Sequence, residues 1–289
     1  LLKSDRLKRA FCLVLVSASI LFGVLVIARI VEREIVDEEG NRYVGDTVDG
    51  QIHGEGRFDW ADGSSYEGDF KNGEIQGEGT MQYIDGSKYS GTFNTGERHG
   101  YGVLTLNDGD VYMGTFISDK ISGEGEWISE LKGESYRGLW KDGKRHGTGV
   151  LTWEDGSQYT GYFLNNQRHG FGEHINSDGQ TYRGYFRSNL KHGDGILEVD
   201  PQTKRFQSWK QGQLVVDEEI KEIENCSLTV EDSPWMFVGD ECVDGLAHGT
   251  GRAVALDGSA YVNLGTFVLG NLVKGVVLPM TLPEEFDDP

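Results

Sequence analysis

From Tyr43 onward the chain repeats itself about every 23 residues, and units this short cannot bury a core alone, so each has to stack on the next. The unit is clearest from Tyr66 to Lys88, reading YEGDFKNGEIQGEGTMQYIDGSK. Tyr66, Gly68 and Phe70 lie two apart, so an extended chain points all three to one face and Glu67 and Asp69 to the other. The stretch from Lys71 to Gly77 is rich in residues that tolerate positive φ, and alternation resumes at Met81 and Tyr83, which predicts a hairpin and a second strand. Asp85 and Gly86 supply a tight-turn dipeptide before Tyr89 opens the next unit.

Units begin at Tyr43, Tyr66, Tyr89, Tyr112, Tyr136, Tyr159 and Tyr182, with a degenerate start at Phe206. The spacing is 23 except before Tyr136 and Phe206, where it is 24; each extra residue falls in a turn segment, 129–133 or 200–204, and leaves strand register intact. The 42 Gly and 5 Pro follow from this period. With 47 acidic against 27 basic residues, the formal charge of -20 argues against a nucleic-acid partner, which needs a basic surface to release counterions, and against broad contact with anionic lipid.

Ahead of the repeats, residues 1–9 are basic through Lys3, Arg6, Lys8 and Arg9, and Ala10 to Ala28 contains no charged residue. At 1.5 Å per residue that run spans roughly 28 Å, close to a bilayer core. It reads as a transmembrane signal-anchor helix over 10–31. A cleaved signal peptide is the rival, given Ser17, Ala18 and Ser19, but the apolar run outlasts an ordinary signal-peptide core. The basic residues before the span orient residues 1–9 to the cytoplasm and the repeats outside it, which in a bacterium means the inner membrane with the repeats facing the periplasm. Residues 32–42 then read as a charged tether, 43–205 as seven regular repeats, 206–236 as a degenerate repeat and irregular insert, 237–278 as degenerate C-terminal repeats, and 279–289 as an acidic tail. Within the insert, Val215 to Glu224 is predicted as a short acidic helix.

The pattern Y-x-G-x-F-x-x-G-x-x-x-G-x-G followed by D-G, as in Tyr66 to Gly79 and Tyr136 to Gly149, resembles the MORN repeat family. The resemblance covers most of residues 43–205 and weakens beyond, returning with one extra residue from Phe237 to Gly258. It implies an all-β chain: an elongated single-layer antiparallel β-meander of hairpin repeats, used for binding or scaffolding and sometimes attached to a catalytic domain. The residues themselves point the same way, since two strands per unit at about 4.8 Å spacing advance a sheet by roughly 10 Å per repeat. No nucleophile elbow, phosphate loop or metalloprotease signature occurs, so no catalytic residue and no cofactor are assigned.

Two aromatic rows result, Tyr66, Tyr89, Tyr112, Tyr136, Tyr159 and Tyr182 in one, and Phe70, Phe93, Phe116, Trp140, Phe163 and Phe186 in the other. They are either the core of a thin sheet or the lining of a ligand groove. Thr47 replaces the second aromatic in the first unit, as suits an end repeat. His53, His99, His146, His169, His192 and His248 share one slot, but equivalents about 10 Å apart cannot share a metal with ligand bonds of about 2.1 Å. The Asp-Gly pairs at Asp62, Asp85, Asp108, Asp155, Asp178 and Asp257 offer too few oxygens for calcium and read as turns. No metal site is assigned. Arg98, Arg145, Arg168 and Lys191 form a basic line, either a docking strip for an acidic partner or solvated turn residues. Cys226 and Cys242 flank the irregular segment; either they form a disulfide or they never meet, and spacing does not decide. Together these readings give a non-enzymatic, membrane-anchored scaffold for a protein partner, with a lipid-headgroup or envelope-glycan binder as the alternative.

Overall fold

The computed structural model describes residues 31–220, 228–230, 233–244, 246–255, 260–268, 270–275 and 277–279. The transmembrane segment expected at 10–31 and the acidic tail lie almost wholly outside these residues; among those described, no helix is long and apolar enough to cross a membrane. Every regular element described is a β-strand. Seventeen strands form one antiparallel sheet in which each pairs with its neighbours in sequence, from Val31–Val36 at one edge to Gln213–Ile220 at the other. A second sheet of six strands runs from Leu228–Val230 through Ser233–Val243, Leu246–Ala255 and Ala260–Val268, with Asn271–Lys274 and Leu278–Pro279 both paired to the last of these.

Each repeat is a hairpin of a leading strand, such as Ser65–Lys71, and a trailing strand, such as Glu74–Gln82. The turn between them, Asn72 (φ 53°) and Gly73 (φ 87°), has positive φ at both central residues. That is the turn whose twist matches the flanking strands, and it explains the Asn-Gly and Asp-Gly pairs that recur there. Tyr66 lies opposite Met81 and Gly68 opposite Gly79, after which the register slips before Phe70. The same glycine-on-glycine pair recurs at Gly91 and Gly102, Gly138 and Gly149, and Gly184 and Gly195.

The glycines are explained by the tyrosine. Its ring lies over the Gly pair, so a methyl group at Gly79 would overlap the Tyr66 hydroxyl. At the slip, Asp69 has no register partner on the trailing strand; its carboxylate accepts from the Glu78 N–H at 3.0 Å, and the Tyr66 hydroxyl donates to its carbonyl at 3.2 Å. Tyr89 does the same to Thr92, Tyr136 to Leu139 and Tyr159 to Tyr162, at 3.0, 3.0 and 3.1 Å. One tyrosine thus fills the core and closes the bulge.

Three expectations change. The segment 32–42, read as a tether, is largely strand: Val31–Val36 pairs with Arg42–Val48, and Glu34 accepts from Arg42 at 2.9 Å. Charged side chains along this edge strand discourage pairing with other chains. The acidic helix predicted from Val215 is instead the strand Gln213–Ile220, because the free edge of Thr203–Lys210 offers its backbone hydrogen-bond partners that outweigh weak helix propensity. The degenerate unit is set by Arg205 rather than Phe206: Leu197 lies opposite Arg205, Gly195 opposite Gln207 and Gly193 opposite Trp209. Trp209 therefore takes the second aromatic position with the ordinary 23-residue spacing from Phe186, and Phe206, opposite Ile196, points to the other face.

Candidate functional site

The tyrosines and phenylalanines interlock as one column. Tyr66 meets Phe70 of its own unit at 5.2 Å and Phe93 of the next at 5.1 Å, both edge to face. Tyr89, Tyr112, Tyr136 and Tyr159 repeat this with Phe93, Phe116, Trp140, Phe163 and Phe186, and the chain of contacts runs from Tyr43 to Trp209. The rings are buried, Tyr66, Tyr89, Tyr136 and Tyr159 completely, and Trp140 partly. Burial pushes the Tyr43, Tyr66, Tyr89 and Tyr112 hydroxyls up to about 12. Thr47, in the first unit's second position, is buried as well.

The basic line lies over this column. The Arg98 guanidinium sits 5.8 Å from the Tyr89 ring and 5.3 Å from Phe116; Arg145 covers Tyr136 and Phe163, and Arg168 covers Tyr159 and Phe186. The Lys191 amine is 3.9 Å from the Tyr182 ring and 4.7 Å from Trp209. Burial draws Arg145 and Arg168 below the usual guanidinium range and brings Lys191 down to about 8. These residues are lids: their stems cover rings and their charged ends lie on π-faces. In other units the same slot holds Ile52, Ile75 or Ile121, opposite Thr47, Phe70 and Phe116.

Partners of the arginine lids escaped the sequence reading. Arg98, Arg145 and Arg168 each donate from the backbone N–H to the side chain of Asp119, Asn166 or Asn189, at 3.0, 2.8 and 2.9 Å. Each guanidinium also donates to that residue's carbonyl. The signal was present one unit further on: the turn that follows an arginine lid carries Asp119, Asn166 or Asn189, whereas the turns that follow Ile52, Ile75 and Ile121 carry Gly73, Gly96 and Gly143.

The histidine slot is occupied locally. His53 and His192 accept from the Asn72 and Gln211 N–H groups at 3.4 and 3.3 Å, and the His146 ring meets Tyr162 at 6.1 Å. Among the described residues, no three His, Cys, Asp or Glu side chains gather as metal ligands. Asp62, Asp85 and Asp155 hold their turns by accepting from Ser64, Ser87 and Ser157, which keeps all three carboxyls below the usual range. Cys242 lies opposite Ala247 in the second sheet, in the position that Phe70 takes opposite Ile75; Cys226 and Asp257 lie outside the described residues.

The opposite face is open. Between its glycines run two shallow depressions of about 1150 and 770 Å³ that share Tyr101. Asp46, Glu55, Glu67, Asp69 and Glu78 line the larger, and its basic residue, Arg57, is already held by Asp59 at 2.7 Å and Glu67 at 3.5 Å. Tyr101 is 65% exposed. The surface is acidic, broad and backbone-floored, able to seat an extended chain but not to enclose a reacting group.

Comparison with known proteins bears on the repeat. No curated protein matches the chain. Two solved structures resemble it weakly. The SAS-4 TCP domain of Drosophila melanogaster, solved with a proline-rich motif of Ana2, is 12% identical, with a TM-score of 0.36 over 68% of this chain and 99% of that one. A virginiamycin B lyase from Staphylococcus aureus, solved with quinupristin, is 9% identical, with a TM-score of 0.14 over 88% of this chain and 87% of that one. At such scores neither bears on function. The family model for the MORN repeat matches residues 43–65, 66–88, 89–111, 136–158, 159–181 and 182–198. The unmatched unit between them, from Tyr112, carries the extra residue in its Ser129 to Gly133 turn and pairs like the others, with Gly114 opposite Gly125. Six units of the one antiparallel sheet therefore match the MORN repeat, and the unmatched unit between them pairs as they do.

Proposed function

We propose that the repeats form a non-enzymatic binding module for a protein partner, anchored by residues 10–31 and displayed outside the cytoplasm. The observation that carries the reading is the open acidic trough on the glycine face. Apart from one cavity beside Tyr112, the aromatic face is consumed by packing and by its lids, whereas the trough keeps Glu67, Asp69, Glu78 and Tyr101 at a surface that runs over the units of Tyr43, Tyr66 and Tyr89. Its charge suits a basic or polar polypeptide better than anionic lipid or glycan. Crosslinking in membranes followed by affinity capture is expected to recover a protein with the wild-type chain and to lose it with Glu67→Lys/Glu78→Lys. Retention by the variant, or saturable binding to a lipid or glycan array instead, would overturn the reading. For topology, a reporter active only outside the cytoplasm is expected to work when fused after Pro289; activity of a cytoplasm-only reporter there would reverse the orientation.

A further inference from the structure

The lid row has a gap on the aromatic face. Arg98 covers the rings ahead of the Tyr112 unit and Arg145 those behind it, but the unit's own lid is Ile121, and no described cation lies over the Tyr112 and Trp140 pair, whose rings meet at 5.4 Å. The turn position that flanks a lid is also reduced. Trp60, Tyr83 and Trp153 hold it in other units, each bonded by its N–H to the carbonyl of Ser64, Ser87 or Ser157; here it is Leu106, bonded to Asp110. With the cation and the flanking ring both missing, a cavity of about 420 Å³ opens, walled by Leu104, Tyr112, Ile121, Trp127 and Trp140.

Asp110 makes this more than a packing fault. It stands where three other units have serine, lines the cavity, and is 6% exposed. Its N–H donates to Asp108, but its carboxylate has no hydrogen-bond or ion-pair partner among the described residues. The carboxylate oxygens are not sealed from solvent, so a cation entering the cavity would find an open, unpaired acceptor there. The cations already at the rim are engaged elsewhere: Lys132 lies 5.4 Å over the Trp127 ring, and Arg145 is held on Tyr136, Phe163 and the Asn166 carbonyl.

We infer that this cavity receives a guanidinium group, an arginine side chain of a second polypeptide, which takes the place over Tyr112 and Trp140 that the chain's own arginines take over neighbouring ring pairs and which pairs with Asp110. Three of the four native cationic lids are arginines, and a flat cation suits ring walls spaced as these are. The site is on the face opposite the acidic trough and does not depend on what the trough binds.

The test uses the full-length chain labelled with 15N-tryptophan, the indole signals of Trp127 and Trp140 being assigned by Trp127→Phe and Trp140→Phe. Titration with N-acetyl-arginine amide is expected to shift both signals saturably. N-acetyl-citrulline amide, equal in shape but uncharged, should bind at least about tenfold more weakly. Asp110→Ser, which installs the residue of the other units, and Ile121→Arg, which fills the gap from within, should each abolish the shift while the Trp60 and Trp153 signals stay in place. No saturable shift with the wild-type chain, equal shifts with citrulline, or undiminished binding by both variants would overturn the assignment. The arginine and citrulline titrations decide even if a variant does not fold. Loss of the partner from Glu67→Lys/Glu78→Lys with intact arginine binding would separate this cavity from the trough.

Discussion

At the scale of single residues the repeat rests on a three-part bargain between a tyrosine, a glycine pair and a bulge. Tyr136 shows it: its ring is fully buried, it packs on Trp140 and Phe163, and its hydroxyl closes the bulge at the Leu139 carbonyl. Tyr136→Phe keeps the ring and orphans the carbonyl, so urea unfolding is expected to show a loss of about 1–2 kcal/mol. Gly149→Ala should cost more, because a methyl group there would overlap that hydroxyl and displace the ring. The hydroxyls also set an alkaline limit. Unfolded tyrosines ionise near pH 10, while burial holds Tyr43, Tyr66, Tyr89 and Tyr112 at about 12 in the folded chain. A folded-state pKa raised in this way leaves stability intact below pH 10 and erodes it as pH climbs towards 12. Melting temperature measured across that interval should fall steadily, and a flat profile would contradict buried, neutral tyrosines.

At the scale of the element, the hairpin is specified twice, by its turn and by its lid. An arginine lid is clamped by Asp119, Asn166 or Asn189 in the turn of the following unit, and an isoleucine lid is followed there by glycine. Asn166→Gly preserves the positive φ and the carbonyl that the guanidinium uses and removes only the acceptor of the Arg145 backbone N–H, so a loss of about 1 kcal/mol is expected both in the wild-type chain and in an Arg145→Ile background. A loss that vanishes in the Arg145→Ile background would show instead that the Asn166 side chain acts through the guanidinium. Strand order, turn positions and the two aromatic rows were legible in the sequence because alternation and turn residues are local signals. The lids were not, since Arg98, Arg145, Arg168 and Lys191 look like surface charge until the register lays them across rings. Phe206 misled for a related reason: an aromatic residue was matched by type, whereas pairing from Gly195 puts Trp209 in that position and turns Phe206 to the other face, under the Arg252 guanidinium at 4.0 Å. The strand Gln213–Ile220 was hidden because what makes it a strand is the edge of Thr203–Lys210, which no local pattern encodes.

At the scale of the molecule, most pairings join strands adjacent in sequence, so the sheet can grow from any unit and each repeat is stabilised by its neighbours. The regular sheet ends at Gln213–Ile220 and a second sheet begins at Leu228–Val230; Glu218 of the first forms an ion pair with Arg252 of the second. In sequence, Cys226 falls in that junction and Cys242 in the strand Ser233–Val243. If the repeats face an oxidising compartment, a bond between them would close a loop worth about 3 kcal/mol in the chain-entropy model, and non-reducing mass spectrometry of the mature protein should find the crosslinked peptides. Two free thiols in a protein shown to face such a compartment would remove the bond and leave the repeats untouched. The ribbon itself depends on its aromatic column, and equilibrium urea unfolding of Tyr136→Ala/Trp140→Ala beside the wild-type chain tests that dependence most directly. A column that is core requires the double variant to lose several kcal/mol, given about 3 to 5 for one large buried aromatic. Unchanged unfolding together with lost partner binding would mean that the rings line a groove, and would contradict the fold energetics described for every repeat.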